Sequence, residues 1–286
     1  MSHTLIIARL VAREAARRRL LLALLLLTLV VILLTGWGFS RIPTFSQGGR
    51  PLSDVAVKTV ASQLLILTMF MFSFVLAMSA VFVAAPSISN DVESGIALAM
   101  LSRPISRTEY VLGKWLGHAA LIAIYAGGAG AIELLVVNAV VGYLPPEPLA
   151  FLAFLVGEGL VILTLALLLS TRLSGMVGGV VSLVLFGIAW IGGIVGGIGA
   201  AFDNATIGHV GTATRLILPT DAFWRGAVFT LEPAAVLAAS GQAGPAAAAN
   251  PFFAASALPL AMELYAIAWI VGLLGLSVLS FRAREP

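Results

Sequence analysis

Six runs of about twenty apolar residues each constrain this chain more than anything else in it. They lie at 20–39, 62–85, 115–141, 149–170, 176–200 and 258–281, each near the ~20 residues that cross ~30 Å of hydrocarbon at ~1.5 Å per residue. Hydrocarbon holds no water to pair backbone N–H and C=O groups, so continuous runs without strand-like alternation must fold as α-helices. The expected fold is an all-α polytopic membrane protein, one transmembrane domain over 1–286, and a lipid-facing β-barrel is excluded. Composition agrees: 60% of residues are hydrophobic and 10% charged, more apolar surface than one soluble core can hide. The first run exceeds the ~7–15 residues of a signal-peptide core and reads as a retained anchor.

Lys and Arg set the expected orientation. Segments 1–19, 86–114, 171–175 and 282–286 hold eleven of the sixteen basic residues: Arg9, Arg13, Arg17, Arg18, Arg19, Arg103, Arg107, Lys114, Arg172, Arg282 and Arg284. Segments 40–61, 142–148 and 201–257 are longer in total and carry five. The positive-inside rule therefore predicts both termini in the cytoplasm, with the chain in a cell inner or plasma membrane. The net charge of +3 is then a topology signal, because the clustered basic domain of a nucleic-acid binder is missing. There is no cysteine, which excludes disulfides and thiolate metal sites. His3, His118 and His209 share no ligand spacing, so the sequence predicts no metal site.

Within 1–19, Arg9, Arg13 and Arg17 recur at i, i+4 while Ile7, Leu10 and Val11 face elsewhere. This predicts an amphipathic helix along the inner membrane surface, although the residues also fit a plain basic tail. In the fifth run, glycines at 175/179, 192/196 and 193/197 predict close helix packing without naming a partner. In the outer segment 201–257, LPTDAFWRGAVF predicts a short helix capped by Thr220 or Asp221, either interfacial or dipping into the membrane and back. The Ala, Gly and Pro stretch after it reads as a pliable lead into the last span.

The polar connection 86–114 is the informative one. Pro86 is expected to end the second span, Asn90 and Glu93 to cap a short helix through 101, and Pro104 to break it. Ser106 and Glu109 then form an S-x-x-E capping box for the third helix. Ile96 with Met100, and Ala97 with Leu101, stack one turn apart, framed by Asp91, Glu93, Arg103 and Arg107. Such a stripe is either a docking surface for a soluble partner or a face resting on lipid, and the residues leave both open.

The pattern E-S-G-I-A-L-A-M-L-S-R-P-I-S-R-x-x-Y-x-x-G-K at 93–114 resembles the loop between helices two and three of ABC transporter permeases of the ABC type-2 family. L-P-T-D-A-F-W-R at 218–225 resembles the segment before the last helix in the permease of the nitrous-oxide-reductase maturation system. Ile96 departs from the family, which usually has threonine after the glycine. The resemblance implies a coupling helix seated on a cytoplasmic ATPase, with contacts from Asn90, Asp91, Glu93, Ser94, Gly95, Ile96, Met100 and Arg103, and a smaller one from Arg172. It implies a second permease copy, homo- or heterodimeric, an export direction, and room for an extracytoplasmic accessory protein at 201–257. ATP and Mg²⁺ would bind the partner, because this chain has no G-x-x-x-x-G-K-[ST] and needs no cofactor of its own. Met69, Met71 and Met78 read as ordinary apolar filler rather than a copper relay.

No span contains Lys or Arg, yet three contain glutamate: Glu133, Glu158 and Glu263. They lie five to nine residues inside their outer ends, a depth of about 7–14 Å at ~1.5 Å per residue. Charge at such depth must face protein or water or be protonated. Glu133 and Glu158 are expected to line an outward cavity with Arg215 or Arg225 as counter-charge. The rival is a private hydrogen bond to a neighbouring helix or snorkelling to headgroups, which Glu263 fits better. A stand-alone carrier or channel would use the same carboxylates as ion sites, without accounting for the doubly capped loop. An intramembrane enzyme lacks H-E-x-x-H, G-x-S-x-G and paired Asp.

Overall fold

In a computed structural model, residues 2–16, 19–47, 50–240 and 249–284 are described. Arg17, Arg18 and the 241–248 part of the Ala, Gly and Pro stretch lie outside the described residues, as does the side chain of Arg19. The helices in chain order are α1 (His3–Ala16), α2 (Arg19–Phe39), α3 (Asp54–Glu93), α4 (Ile96–Leu101), α5 (Arg107–Val141), α6 (Pro148–Ser170), α7 (Gly175–Ala201), α8 (Ala205–Ile217), α9 (Thr220–Leu231), α10 (Ala234–Ser240) and α11 (Leu260–Arg282). Between α2 and α3 come a 3₁₀ turn, Ile42–Thr44, and a two-residue antiparallel ladder pairing Ser46 with Pro51 and Gln47 with Arg50. Six helices, α2, α3, α5, α6, α7 and α11, are long and apolar enough to cross a membrane. The chain is a multi-pass, all-helical membrane protein.

α6 lies at the centre. Val161 to Leu167 are buried at every position, so no face of this stretch is left for lipid. α3 crosses beside it. α2 and α11 form the rim, with only 11% and 17% of their spanning windows buried. α2 is fastened by Thr28 Oγ1 and Tyr125 Oη at 2.8 Å, while leucines such as Leu22, Leu26 and Leu33 point outward. Lipid tails solvate those leucines as well as protein would.

α3 departs most from expectation. It is 40 residues long, about 60 Å at ~1.5 Å per residue, twice a ~30 Å hydrocarbon layer. Pro86 does not end it but sits inside it. A mid-helix proline forfeits one backbone hydrogen bond. Packing holds the helix across that gap: Ile88 is fully buried, and the start of α7 lies so close that a Cβ on Gly175 would come 2.9 Å from Pro86 Cα. Beyond Pro86, α3 thus runs on to the end of the bundle that carries both described termini, where Asp91 stands level with Tyr110 in the first turn of α5 and, through it, with Phe281 at the end of α11.

At the opposite end, α8 turns back along α7. Gly199 faces Gly208, Gly196 faces Gly211, and Gly192 faces Thr214, so α8 retraces the last three turns of α7 in the reverse direction. A Cβ on Gly211 would lie 2.3 Å from Gly196 Cα, which is why this seam is built from glycine. The partner of the α7 glycines is thus α8 for 192 and 196, and α3 for 175. α9 then climbs back against α6, where Phe223 and Phe154 fill the notches over Gly157 and Gly226. Within the outer segment, α8 and α9 form a helical hairpin packed against α7 and α6.

Candidate functional site

The end of α3 builds an elbow. Ser94 caps α3 with both N–H and Oγ donating to the Asn90 carbonyl, at 2.9 and 2.7 Å. Gly95 follows at φ 76°, the left-handed conformation that ends helices and that glycine adopts freely. α4 then starts afresh with no side-chain cap. The expected single helix over 90–101 is thus two pieces. Asn90 and Glu93 belong to the long helix, because the Asn90 carbonyl ends a helix and its side chain begins none. The Ser106–Glu109 capping box is present: Glu109 N–H donates to Ser106 Oγ at 3.1 Å, and Ser106 N–H donates to Glu109 Oε2 at 2.8 Å.

Ala97 is buried, while Ile96 and Leu98 are 49% and 53% exposed. Met100 instead packs on an apolar cluster of Ile7, Val11, Ile88, Tyr110, Val111, Leu167 and Phe281. The outward apolar pair is therefore Ile96 with Leu98, not Ile96 with Met100. The sequence reading missed Leu98 because a six-residue helix shows too little of a 3.6-residue period. Asn90, Glu93, Ser94 and Arg103 are exposed around it.

Asp91 faces inward. It pairs with Lys114 Nζ at 2.6 Å and accepts the Tyr110 hydroxyl; Lys114 is 7% exposed. Beside this pair, α1 sits on α5 over Gly113 and Gly117, where added Cβ atoms would meet Ile7 Cβ at 2.6 Å and the Ala8 carbonyl at 2.7 Å. Arg107 Nη1 donates to the carbonyls of Phe281, Arg282 and Arg284, at 3.2, 2.7 and 2.7 Å. These carbonyls lie at and just past the end of α11, where Phe281 O also accepts from Arg284 N–H at 3.3 Å, and a cation there suits the helix dipole. Tyr110 stacks on Phe281 with centroids 5.3 Å apart. Arg172 reaches Ser280, Nε to Oγ at 3.0 Å and Nη2 to the carbonyl at 2.9 Å. So the turn between α6 and α7, the start of α5 and the end of α11 meet in one polar seam. A groove of about 570 Å³ opens alongside between α3 and α7, with Phe82, Pro86, Asn90, Glu93, Gly175 and Val180 in its lining.

A second set of charges lies at the buried tip of the α8–α9 hairpin. Asp221 is 3% exposed and accepts from Arg215 Nε at 2.7 Å and Arg225 Nε at 3.2 Å. Arg225 Nη2 also donates to the Gly193 carbonyl at 3.0 Å. Asp221 in the first turn of α9 and Arg215 in the last turn of α8 both match their helix dipoles. The last carbonyls of α8 are capped from α11: Tyr265 Oη donates to Leu216 O and Trp269 Nε1 to Ile217 O, the latter at 3.1 Å. Neither Thr220 nor Asp221 caps α9, whose cap position is Pro219.

The sequence model described as ABC-2 family transporter protein matches residues 5–285. This chain belongs to the ABC-2 transporter family. An ABC-2 protein is an ABC permease subunit, a membrane transport component that is not itself catalytic. No curated protein matches the chain.

In this ABC-2 permease the intramembrane carboxylates fall in different surroundings. Glu158 is 4% exposed and accepts from Ser73 Oγ at 2.7 Å. Glu133 is 2% exposed with Thr35 beside it. Glu263 is half-buried in the first turn of α11. Arg215 and Arg225 are engaged by Asp221, so they do not serve Glu133 or Glu158 as counter-charges. The sequence reading placed Asp221 as a cap because nothing local says that the hairpin tip turns inward.

Proposed function

We propose that this chain forms half of a translocation pathway, paired with a second permease copy and driven by separate cytoplasmic ATPase subunits that grip the α3–α4 elbow. The observation that supports this best is the elbow itself: α3 continues through Pro86 and ends in a folded, doubly anchored segment whose exposed residues are Glu93, Ile96, Leu98 and Arg103. An apolar pair framed by charges fits a groove on a soluble partner. Asn90 and Ser94 lie at the rim of that contact, Gly95 sets its angle, and Arg172, committed to Ser280, stiffens the neighbouring turn. Both termini are cytoplasmic in this reading, in line with the basic residues at that end. The exposed α7 stripe of Met176, Val180 and Val184 beside the α3–α7 groove offers the second copy a face. ATP-driven closure of the motors would push the elbow and tilt the spans, and export is the direction that the family likeness favours. An extracytoplasmic accessory protein could rest on the outer hairpin. The narrower likeness to the nitrous-oxide-reductase maturation permease finds no support in the comparisons. The buried packing of Asp221 and Trp224 accounts for 218–225 without it.

The test is co-purification with a P-loop ATPase expressed alongside. The unaltered chain should bring the ATPase down, and a Glu93→Arg, Ile96→Asp variant should lose it while remaining folded. Retention of the ATPase by that variant would show that the elbow is not the contact.

A further inference from the structure

We infer that Asp91, Lys114 and Tyr110 form a pin that carries force from the elbow into α5 and α1. The inference rests on the permease reading above and adds the load path within the chain. Pro86 lies seven residues before the end of α3, and without its N–H the helix is weakest there. Gly95, in the left-handed conformation, forms a second soft point just beyond Glu93. A push on α4 therefore meets a short rod, 87–94, bounded by two joints. Unless that rod is fastened beyond the proline, the push is spent in bending α3 at Pro86.

The fastening has an apolar and a polar part. Ile88 is fully buried among Tyr110, Val111 and Leu167, but apolar contacts of this kind slide at little cost because they have no direction. Asp91 supplies the direction. Its carboxylate holds Lys114 Nζ at 2.6 Å and takes the Tyr110 hydroxyl, and both partners stand on the first two turns of α5. Lys114 is almost out of water, so pulling Asp91 away would take from a buried ammonium the carboxylate that holds it at 2.6 Å, which is costly. Glu14 of α1 and His118 of α5 line the same small cavity, about 40 Å³, room for only a few waters. Lys114 also sits between Gly113 and Gly117, where Ile7 and Val11 of α1 are seated. Elbow, α5 and α1 thus meet at one point.

The chain has no cysteine, so nitroxides on Ser102→Cys at the end of α4 and Arg9→Cys, both at exposed positions outside the assigned contact, report the distance from elbow to α1 in the complex with the ATPase. With the pin intact the distance distribution should be narrow and keep its width when the ATPase is trapped with ATP. Asp91→Asn should broaden it, and Tyr110→Phe, which removes only a hydroxyl, should broaden it less. Adding Pro86→Ala to Asp91→Asn should recover much of the width, since it stiffens the joint that the pin protects, whereas Gly272→Ala, a helix-stabilising change with open space around it in α11, should not. A width left unchanged by both single variants, or broadening that Pro86→Ala does not recover, overturns the pin. An unaltered chain that captures no ATPase would instead sink the permease reading.

Discussion

Asp221 illustrates how much one buried carboxylate can hold. It gathers two guanidinium groups on adjacent helices, and its position above Gly193 is so tight that a Cβ there would lie 2.0 Å from its Oδ1. Asp221→Asn leaves both arginines without their counter-ion in a largely apolar setting, a loss of about 3–5 kcal/mol for a broken buried pair. Arg215 retains some solvent access, with a side chain 30% exposed, so the lower end applies. Thermal unfolding in detergent should show a clear fall in midpoint. Glu232 behaves differently. It is fully buried at the end of α9 and accepts from Ala254 N–H at 3.3 Å. Burial pushes its carboxyl up from 4.5 to about 7. The folded chain then holds a proton that the unfolded chain has released. The resulting stability is complete below the unfolded value and drains away as pH rises from about 4.5 through about 7. Between pH 5 and 8 the unaltered chain should lose stability that Glu232→Gln does not lose, read as the difference between their melting points.

At the level of elements, α1 shows packing and sequence pattern pulling apart. The pattern of Arg9 and Arg13 opposite Ile7 and Val11 foretells a surface helix, yet its buried side is a fitted contact with α5 and no mere layer on lipid. The fit depends on Gly113 and Gly117 lacking side chains. Gly117→Val would drive its branches into the Ala8 carbonyl and Val11, an overpacking cost of about 1–3 kcal/mol. The cheapest relief is for α1 to lift away and fray, which would let the backbone at Arg9 and Arg13, whose side chains are already exposed, enter trypsin. Limited proteolysis should therefore cut the variant within 1–16 at protease levels that leave the unaltered chain whole.

For the whole molecule, the membrane spans were readable because twenty apolar residues in a row admit one solution in hydrocarbon. The S-x-x-E box before α5 was readable for the same reason, since cap chemistry is local. What escaped is nonlocal. Pro86 looks like a terminator in any sequence window, and only Gly175 and the burial of Ile88 explain why α3 runs on. Tyr110 and Lys114 stand in plain view in the Y-x-x-G-K pattern, but their common partner Asp91 is nineteen residues or more away. Arg107 meets its acceptors some 174–177 positions downstream, a separation at which no periodicity speaks.

The last helix gains most from those distant contacts. Its lower end is clasped by Arg107, and its upper half holds the tip of the outer hairpin through Tyr265 and Trp269. It is poorly packed along its length, yet it is tethered at both extremities, like a tie rod. A rigid rod cannot shift at one end alone, so displacement at the elbow must either be relayed to the hairpin some 25 Å away, given ~1.5 Å per residue, or break one of the two clasps.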